Sequence, residues 1–122
     1  MKNLCLLSLF LMLISCNKND ISTIIDSPDK KIKVIFFLDN GTPYYSIEKE
    51  DKLILKKSKL GLILKDNVFL NNNFMINNIQ KDSYKNLWKP LLGEYKIIEN
   101  NYNELKIELK QNKKILFLEF RI

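Results

Sequence analysis

The sequence contains no histidine, only two cysteines and only three glycines. Without histidine there is no triad of the Ser-His-Asp kind, no imidazole general base and no histidine-ligated metal. The glycines form no phosphate-binding loop. Both cysteines, Cys5 and Cys16, lie near the N-terminus. We therefore expect no disulfide in the rest of the chain, which must fold through packing alone.

The chain is basic, with a formal net charge of +6, but its basic residues are almost all lysines. Arg121 is the only arginine, although arginine is the residue that favours bidentate recognition of phosphate. The lysines are scattered through the sequence and do not form a cluster. We therefore expect no nucleic-acid partner and attribute the charge to a composition rich in Lys, Asn and Ile.

The first fifteen residues are typical of an export signal. Lys2 is followed by an almost wholly apolar run over residues 4–14, which is shorter than the roughly 20 residues that span a bilayer. The run ends in Leu13-Ile14-Ser15-Cys16, which resembles the lipobox of bacterial lipoproteins. That resemblance implies cleavage before Cys16 and a diacylglycerol on its thiol. An ordinary secretory signal or a buried core helix is the alternative interpretation.

These features predict an exported protein that is lipid-anchored in the periplasm or at the outer membrane. The predicted organisation is a signal peptide over residues 1–15, a tether over residues 16–23 and one domain over residues 24–122. The chain stops inside an apolar stretch at Ile122, and we expect the domain to be incomplete.

Runs of β-branched and aromatic residues alternate with turn residues along the rest of the chain, and no long segment has a helical period. Asp39-Asn40-Gly41 is a strong hairpin signal, since Asn and Gly tolerate positive φ. Residues 104–110 alternate between charged and apolar, which predicts one wet and one buried strand face. Only a short strand is expected at 74–79, and Pro90 makes residues 87–93 a poor strand interior. The pattern predicts an all-β protein, a β-sandwich of about eight or nine short strands, with Asn and Asp filling many turns.

Carboxylates are the remaining candidates for acid–base chemistry. Glu104 and Glu108 lie on one strand face beside lysines, which is typical of solvated residues, and we expect no catalytic residue. Asp39, Asp51 and Asp66 are better explained by turns. Trp88, the only tryptophan, could stack on a sugar ring, but a plug between sheets is the favoured interpretation.

Several short motifs resemble, in order, the N-terminal domain of glycoside hydrolase family 97. Ser27-Pro28-Asp29-Lys30 resembles the turn that opens the domain, although Lys30 replaces the usual glycine. The other matches are Tyr45-Ser46-Ile47, Ser58-Lys59-Leu60-Gly61-Leu62, Trp88-Lys89-Pro90-Leu91-Leu92-Gly93-Glu94, Asn101-Tyr102-Asn103-Glu104-Leu105 and Leu118-Glu119-Phe120-Arg121.

The resemblance implies a large enzyme in which a β-super-sandwich, similar to the galactose mutarotase fold, packs on a (β/α)₈ barrel. The family hydrolyses α-glucosidic or α-galactosidic bonds with paired carboxylates, and its members invert or retain configuration. A calcium ion lies near the family's active site. The family's catalytic and calcium-binding residues fall beyond residue 122, so this chain is expected to hold neither.

The sequence therefore predicts a carbohydrate-associated scaffold domain of an exported α-glycosidase, inert without its barrel. Trp88, Lys89 and Glu94 are the candidates for a surface that faces the barrel or a sugar. The alternatives are a stand-alone surface lipoprotein that binds sugar or a partner protein, and a degenerate fragment that does not fold stably.

Overall fold

A computed structural model describes residues 21–92 and 97–122. The predicted signal peptide and Cys16 lie outside the described residues, as does Glu94. The described residues form nine antiparallel strands, which confirms the all-β prediction. The strands are β1 (Ile21–Asp26), β2 (Ile32–Asp39), β3 (Thr42–Lys49), β4 (Lys52–Lys59), β5 (Leu62–Leu64), β6 (Val68–Leu70), β7 (Met75–Trp88), β8 (Ile98–Gln111) and β9 (Lys114–Arg121).

The strands form three sheets in simple sequence order: β1-β2-β3-β4, β5-β6 and β7-β8-β9. β1 begins at Ile21, which pairs with Leu38 of β2. Residues 21–23 thus belong to the sheet, whereas the predicted tether extended to residue 23. Backbone pairing of Ser22 with Phe37 and of Thr23 with Phe36 places these polar residues in β1.

The core lies between the four-stranded and three-stranded sheets. Alternation in β2 points Val34, Phe36 and Leu38 inward, and the buried face of β8 points Leu105, Ile107 and Leu109 towards them. Phe36 also contacts Phe120 of β9, with ring centroids 6.4 Å apart. Leu70 and Phe74 close one end of the same cluster. The packing of two sheets around one core confirms the predicted sandwich.

Asparagine and aspartate occupy most of the turn positions that need positive φ, as predicted. The β2–β3 hairpin turns through Asn40 (φ 48°) and Gly41 (φ 74°), a pair typical of a two-residue hairpin loop. A Cβ on Gly41 would also meet the backbone of Asn73 at 3.0 Å. Among the described residues, the other non-glycine residues with positive φ are Lys30, Glu50, Asp51, Asp66, Asn67, Asn73 and Asn112.

The hairpin of β7 and β8 is much longer than the sequence predicts, because each strand has 14 residues. The predicted short strand at 74–79 continues through a polar segment to Trp88. Pro90, which cannot join the ladder, lies just after the end of this strand. The ladder runs unbroken from Asn78↔Glu108 to Trp88↔Ile98. Backbone pairing with β8, which residue polarity does not reveal, extends this strand.

Candidate functional site

Trp88 lies at the end of β7, where its side chain is 51% exposed. The interpretation of Trp88 as a plug between sheets is therefore wrong: the long hairpin carries it beyond the core. Lys89 follows it and is exposed. The structure brings Trp88 and Lys89 to the same end of the hairpin, where Leu87, Leu91 and Leu92 are also exposed.

Glu104 is buried, which contradicts its interpretation as a solvated strand residue, whereas Glu108 is only partly buried. One carboxylate oxygen of Glu104 lies 2.6 Å from the Lys106 ammonium, and the other accepts a 2.8 Å hydrogen bond from Arg121 Nε. Glu104 and Arg121 are direct partners in the β8–β9 ladder. The sequence gives one signal for this pair, because its only arginine, Arg121, lies at the end of an apolar strand.

The cations around Glu104 determine its chemistry. The hydrogen bond with Lys106, supported by Arg121, lowers the pKa of the Glu104 carboxyl to about 2 although burial opposes this. The same contact raises the pKa of the Lys106 ammonium. A general acid needs a raised carboxyl pKa, so Glu104 is suited to hold the sheet together and unsuited to protonate a leaving group.

Two tyrosines stack beside this ion cluster on the same face of the sheet. The rings of Tyr84 and Tyr102 are partners across β7 and β8 and have centroids 5.0 Å apart. The Arg121 guanidinium lies 5.3 Å from the centroid of Tyr102. The negative charge of Glu104 is the main cause that raises the pKa of the Tyr84 hydroxyl. Aromatic stacking and the cation thus complete a compact polar cluster.

A cleft of about 330 Å³ opens where the end of β1 and the following turn face β7 and β8. The turn is held by the Ser27 hydroxyl, which donates to Asp29 (2.6 Å) and accepts from the backbone N–H of Ile32 (2.9 Å). The hydrogen bond from Ser27, and after it the one from the backbone N–H of Lys31, lower the pKa of the Asp29 carboxyl. The predicted turn motif therefore forms one rigid wall of this cleft.

Asn103 connects the two sheets at the floor of the cleft. Its amide nitrogen donates to the backbone carbonyl of Asp26 (2.6 Å), and its amide oxygen accepts from the Ser83 hydroxyl (2.7 Å). In the sequence, Asn103 stands out only as part of the motif Asn101-Tyr102-Asn103-Glu104-Leu105. Its role depends on a contact between residues 77 positions apart, for which the sequence alone gives no signal.

The described ranges, 21–92 and 97–122, contain no group of three or more His, Cys, Asp or Glu residues that could hold a metal ion. The carboxylates present there do not fit the calcium site that the family resemblance implies, so no chemistry is assigned to calcium in this chain. Within the same two ranges, no helix has the length and apolar character needed to cross a membrane.

Solved structures of glycoside hydrolases share this fold. A glycoside hydrolase family 97 enzyme from Pseudoalteromonas sp. strain K8, solved in complex with panose, matches with a TM-score of 0.74 and 26% identity over 81% of this chain and 15% of that one. The same enzyme in complex with acarbose matches equally. A β-arabinopyranosidase shares the fold, with a TM-score of 0.71 and 24% identity over 82% of this chain and 16% of that one.

The present chain thus covers only 15–16% of the length of these enzymes. The family model described as "Glycosyl-hydrolase 97 N-terminal" matches residues 25–122, nearly the whole predicted domain. This match covers the opening turn, the long hairpin and the final strand. The chain therefore belongs to the family of N-terminal domains of glycoside hydrolase family 97.

Proposed function

We propose that this chain is the N-terminal scaffold domain of an exported α-glycosidase and that it hydrolyses no glycoside by itself. Family membership and the small share of the relatives' length support this role. The carbohydrate substrate, an α-glucoside or α-galactoside, would be engaged by the complete enzyme, and the barrel would supply the catalytic carboxylates. Calcium, where the full-length enzyme binds it, would likewise be held by residues outside this domain.

The observation that carries the proposal is an exposed apolar face on the β5–β6 hairpin. Ile63 and Phe69 are directly opposite each other, so their side chains share a face, and they are 70% and 48% exposed. Leu62 and Leu64, whose side chains lie on the opposite face of β5, are also about half exposed. Contiguous apolar surface of this kind marks an interface. A second exposed apolar group lies around Trp88 and Lys89, which we retain as candidates for the surface that faces the barrel or a sugar.

The first test is hydrolysis. The purified chain should release no nitrophenol from p-nitrophenyl α-glucoside or α-galactoside above a buffer blank, because its buried carboxylate is bound to cations. Turnover that disappears in a carboxylate variant such as Asp82→Asn would contradict the proposal. A cooperative melt followed by circular dichroism establishes that the assayed chain is folded.

The second test concerns the partner of the apolar face. The gene should encode a (β/α)₈ barrel after this domain. That barrel, expressed separately, should bind the wild-type chain, and a variant with Ile63→Lys and Phe69→Lys should lose this binding. Lys113→Ala, which changes an exposed turn residue, is the matched control. Failure of the wild-type chain to bind the barrel would contradict the scaffold role.

Export and anchoring form the last part of the proposal. The signal over residues 1–15 and the lipobox ending at Cys16 support a lipid anchor at the periplasmic membrane surface or the outer membrane. Growth with a palmitate analogue should label the wild-type protein in the membrane fraction. A Cys16→Ser protein that still carries the label would show that Cys16 is not the lipidated residue.

A further inference from the structure

One end of the sandwich brings together the start of β1 and three turns. Ile21 and Gly41 line the same hollow, which places the start of β1 beside the β2–β3 turn. The backbone N–H of Phe74 donates to the carbonyl of Gly41 at 2.9 Å, and the Gln111 amide donates to the carbonyl of Asn72 at 2.8 Å. These bonds connect the β6–β7 loop and the β8–β9 turn to the same end. We call residues 21, 39–42, 71–75 and 110–114 together the basal end.

The basal end is basic. Its β8–β9 turn contributes Lys110, Lys113 and Lys114, which are all exposed and have no acidic residue between them. Across the described ranges, none of these three lysines takes part in an ion pair. The only acidic residue of the basal end is Asp39, which lies 2.8 Å from the Lys57 ammonium. The three ammonium groups of the turn are therefore available to an anionic partner.

The opposite end of the sandwich has no excess of positive charge. Its two turns, over residues 26–33 and 48–52, hold five lysines and five acidic residues. The long hairpin leaves the sandwich at this end. Because each strand residue rises about 3.3 Å, the hairpin carries Trp88 about 40 Å from Met75 of the basal end. The domain thus has a basic end and, far from it, the hairpin tip.

Two exposed apolar side chains accompany the lysines of the basal end. Met75 is 65% exposed and pairs directly with Lys110. Ile21 is 44% exposed and lines the same hollow of about 330 Å³ as Met75. Binding to a membrane surface increases with the apolar area buried and with the attraction between cations and anionic lipids. Lysines beside exposed apolar side chains therefore suit the surface of an anionic membrane.

The proposed lipid anchor lies next to the basal end in the sequence. Five residues of chain lead from Cys16 to Ile21, and they span at most about 18 Å when fully extended. A lipid on Cys16 would therefore hold the start of β1 within that distance of the membrane. No comparable constraint acts on the opposite end.

We propose that the basal end docks on the anionic phospholipid surface of the membrane that holds the anchor. The docked orientation rests on the proposed anchor at Cys16 and goes beyond it, because an anchor alone leaves the domain free to rotate. Lys110, Lys113 and Lys114 contact the headgroups in this orientation. The hairpin tip with Trp88 lies on the side away from the lipid.

The test uses the lipid-anchored protein, purified from the membrane fraction and reconstituted in phosphatidylcholine vesicles with or without about one-third phosphatidylglycerol, an anionic lipid. Each lysine should shift the ratio of docked to undocked domain by about fivefold, and three by about a hundredfold. Acetylation of the basal lysines, followed by mass spectrometry, should be at least about tenfold slower in the anionic vesicles. Acetylation at the opposite end should be the same in both vesicles, and about 1 M salt should abolish the difference. The control lysines are Lys31, Lys49 and Lys52, which are all exposed.

Two triple variants remove the same charge from opposite ends of the domain. Trp88, the only tryptophan, reports the orientation through energy transfer to a dansyl-labelled lipid. In anionic vesicles the transfer should be low in wild type and in the opposite-end variant, and should rise in the basal variant to its level in neutral vesicles. Thermal melts establish that each variant is folded. The basal variant combines Lys110→Ala, Lys113→Ala and Lys114→Ala, and the opposite-end variant combines Lys31→Ala, Lys49→Ala and Lys52→Ala.

Three results would overturn the docked orientation. They are equal acetylation of the basal lysines in both kinds of vesicle, equal energy transfer in the two triple variants, and high transfer from Trp88 of wild type in anionic vesicles, which would place the hairpin tip on the lipid. Palmitate labelling of the same samples separates this proposal from the anchor. Labelled protein that does not dock overturns the orientation alone, whereas a chain without lipid on Cys16 overturns the anchor and the orientation with it.

Discussion

Replacement of Lys30 by glycine should stabilise the protein. Lys30 has a φ of 58°, in the left-handed region that costs a non-glycine residue about 1–2 kcal/mol. The backbone N–H of Lys30 donates to the Ser27 carbonyl at 2.9 Å, so the turn holds this residue in place. Glycine adopts the same φ without steric cost and keeps the hydrogen bond.

Glycine also makes the unfolded chain more flexible, which reduces the gain in stability by about 0.4–1 kcal/mol. The net stabilisation of Lys30→Gly is therefore about 0.5–1 kcal/mol. For a domain of this size, 1 kcal/mol shifts the Tm by about 4–8 °C. We expect the Tm of the variant to rise by roughly 2–8 °C.

The assay is a thermal melt followed by far-UV circular dichroism, with urea unfolding as a second measure of the free energy. Lys31→Gly is the matched control, since Lys31 is the exposed neighbour and does not have a positive φ. It should lose about 0.5–1 kcal/mol, because there glycine brings only its entropic cost. An equal loss of stability in both variants would refute the argument that Lys30 is strained.

Three further predictions test other parts of the structure. Ile107→Ala should lose about 2–5 kcal/mol in urea unfolding, since Ile107 is fully buried, whereas Ile63→Ala on the exposed hairpin should change stability by less than about 0.5 kcal/mol; similar losses in both would contradict the assigned core. Because the folded-state pKa of Glu104 is about 2, below its ordinary 4.5, its stabilisation is complete above about pH 4.5 and is lost as pH falls towards 2. The Tm of Glu104→Gln should thus fall less than that of wild type between about pH 6 and pH 3, and parallel curves would argue against the ion cluster. Gln111→Ala should cost about 1–3 kcal/mol, because the Gln111 amide donates to two backbone carbonyls at the β5–β6 end of the protein, at 3.2 and 2.8 Å; an unchanged urea midpoint would show that these bonds contribute nothing.

The ion cluster on the outer face of β7-β8-β9 has a structural role in the domain. Glu104 is bound by both Lys106 and Arg121, and removal of either cation would leave one of its buried carboxylate oxygens without its charged partner. This arrangement fixes the register of β8 against β9 at Glu104↔Arg121. It is therefore a structural feature of the scaffold.

The sequence by itself determined the local features of this protein. The hairpin at Asn40 and Gly41 follows from their tolerance of positive φ, and the buried face of β8 follows from strict alternation over residues 104–110. The motif at Ser27-Pro28-Asp29-Lys30 predicted the turn, and together with the other motifs in order it carried the family resemblance. These features can be predicted from the sequence because each depends on residues close together in the chain.

Tertiary structure alone decided which distant residues meet. Pairing with β8 extended β7 through a polar segment that no propensity marks as strand, and it carried Trp88 out of the core. It also buried Glu104, because the strand that supplies Arg121 comes 17 residues later. The cleft arises in the same way, since Asn103 must reach Asp26 across 77 positions of sequence. A one-dimensional pattern specifies which face a side chain takes, and only the pairing and packing of the sheets specify what it faces.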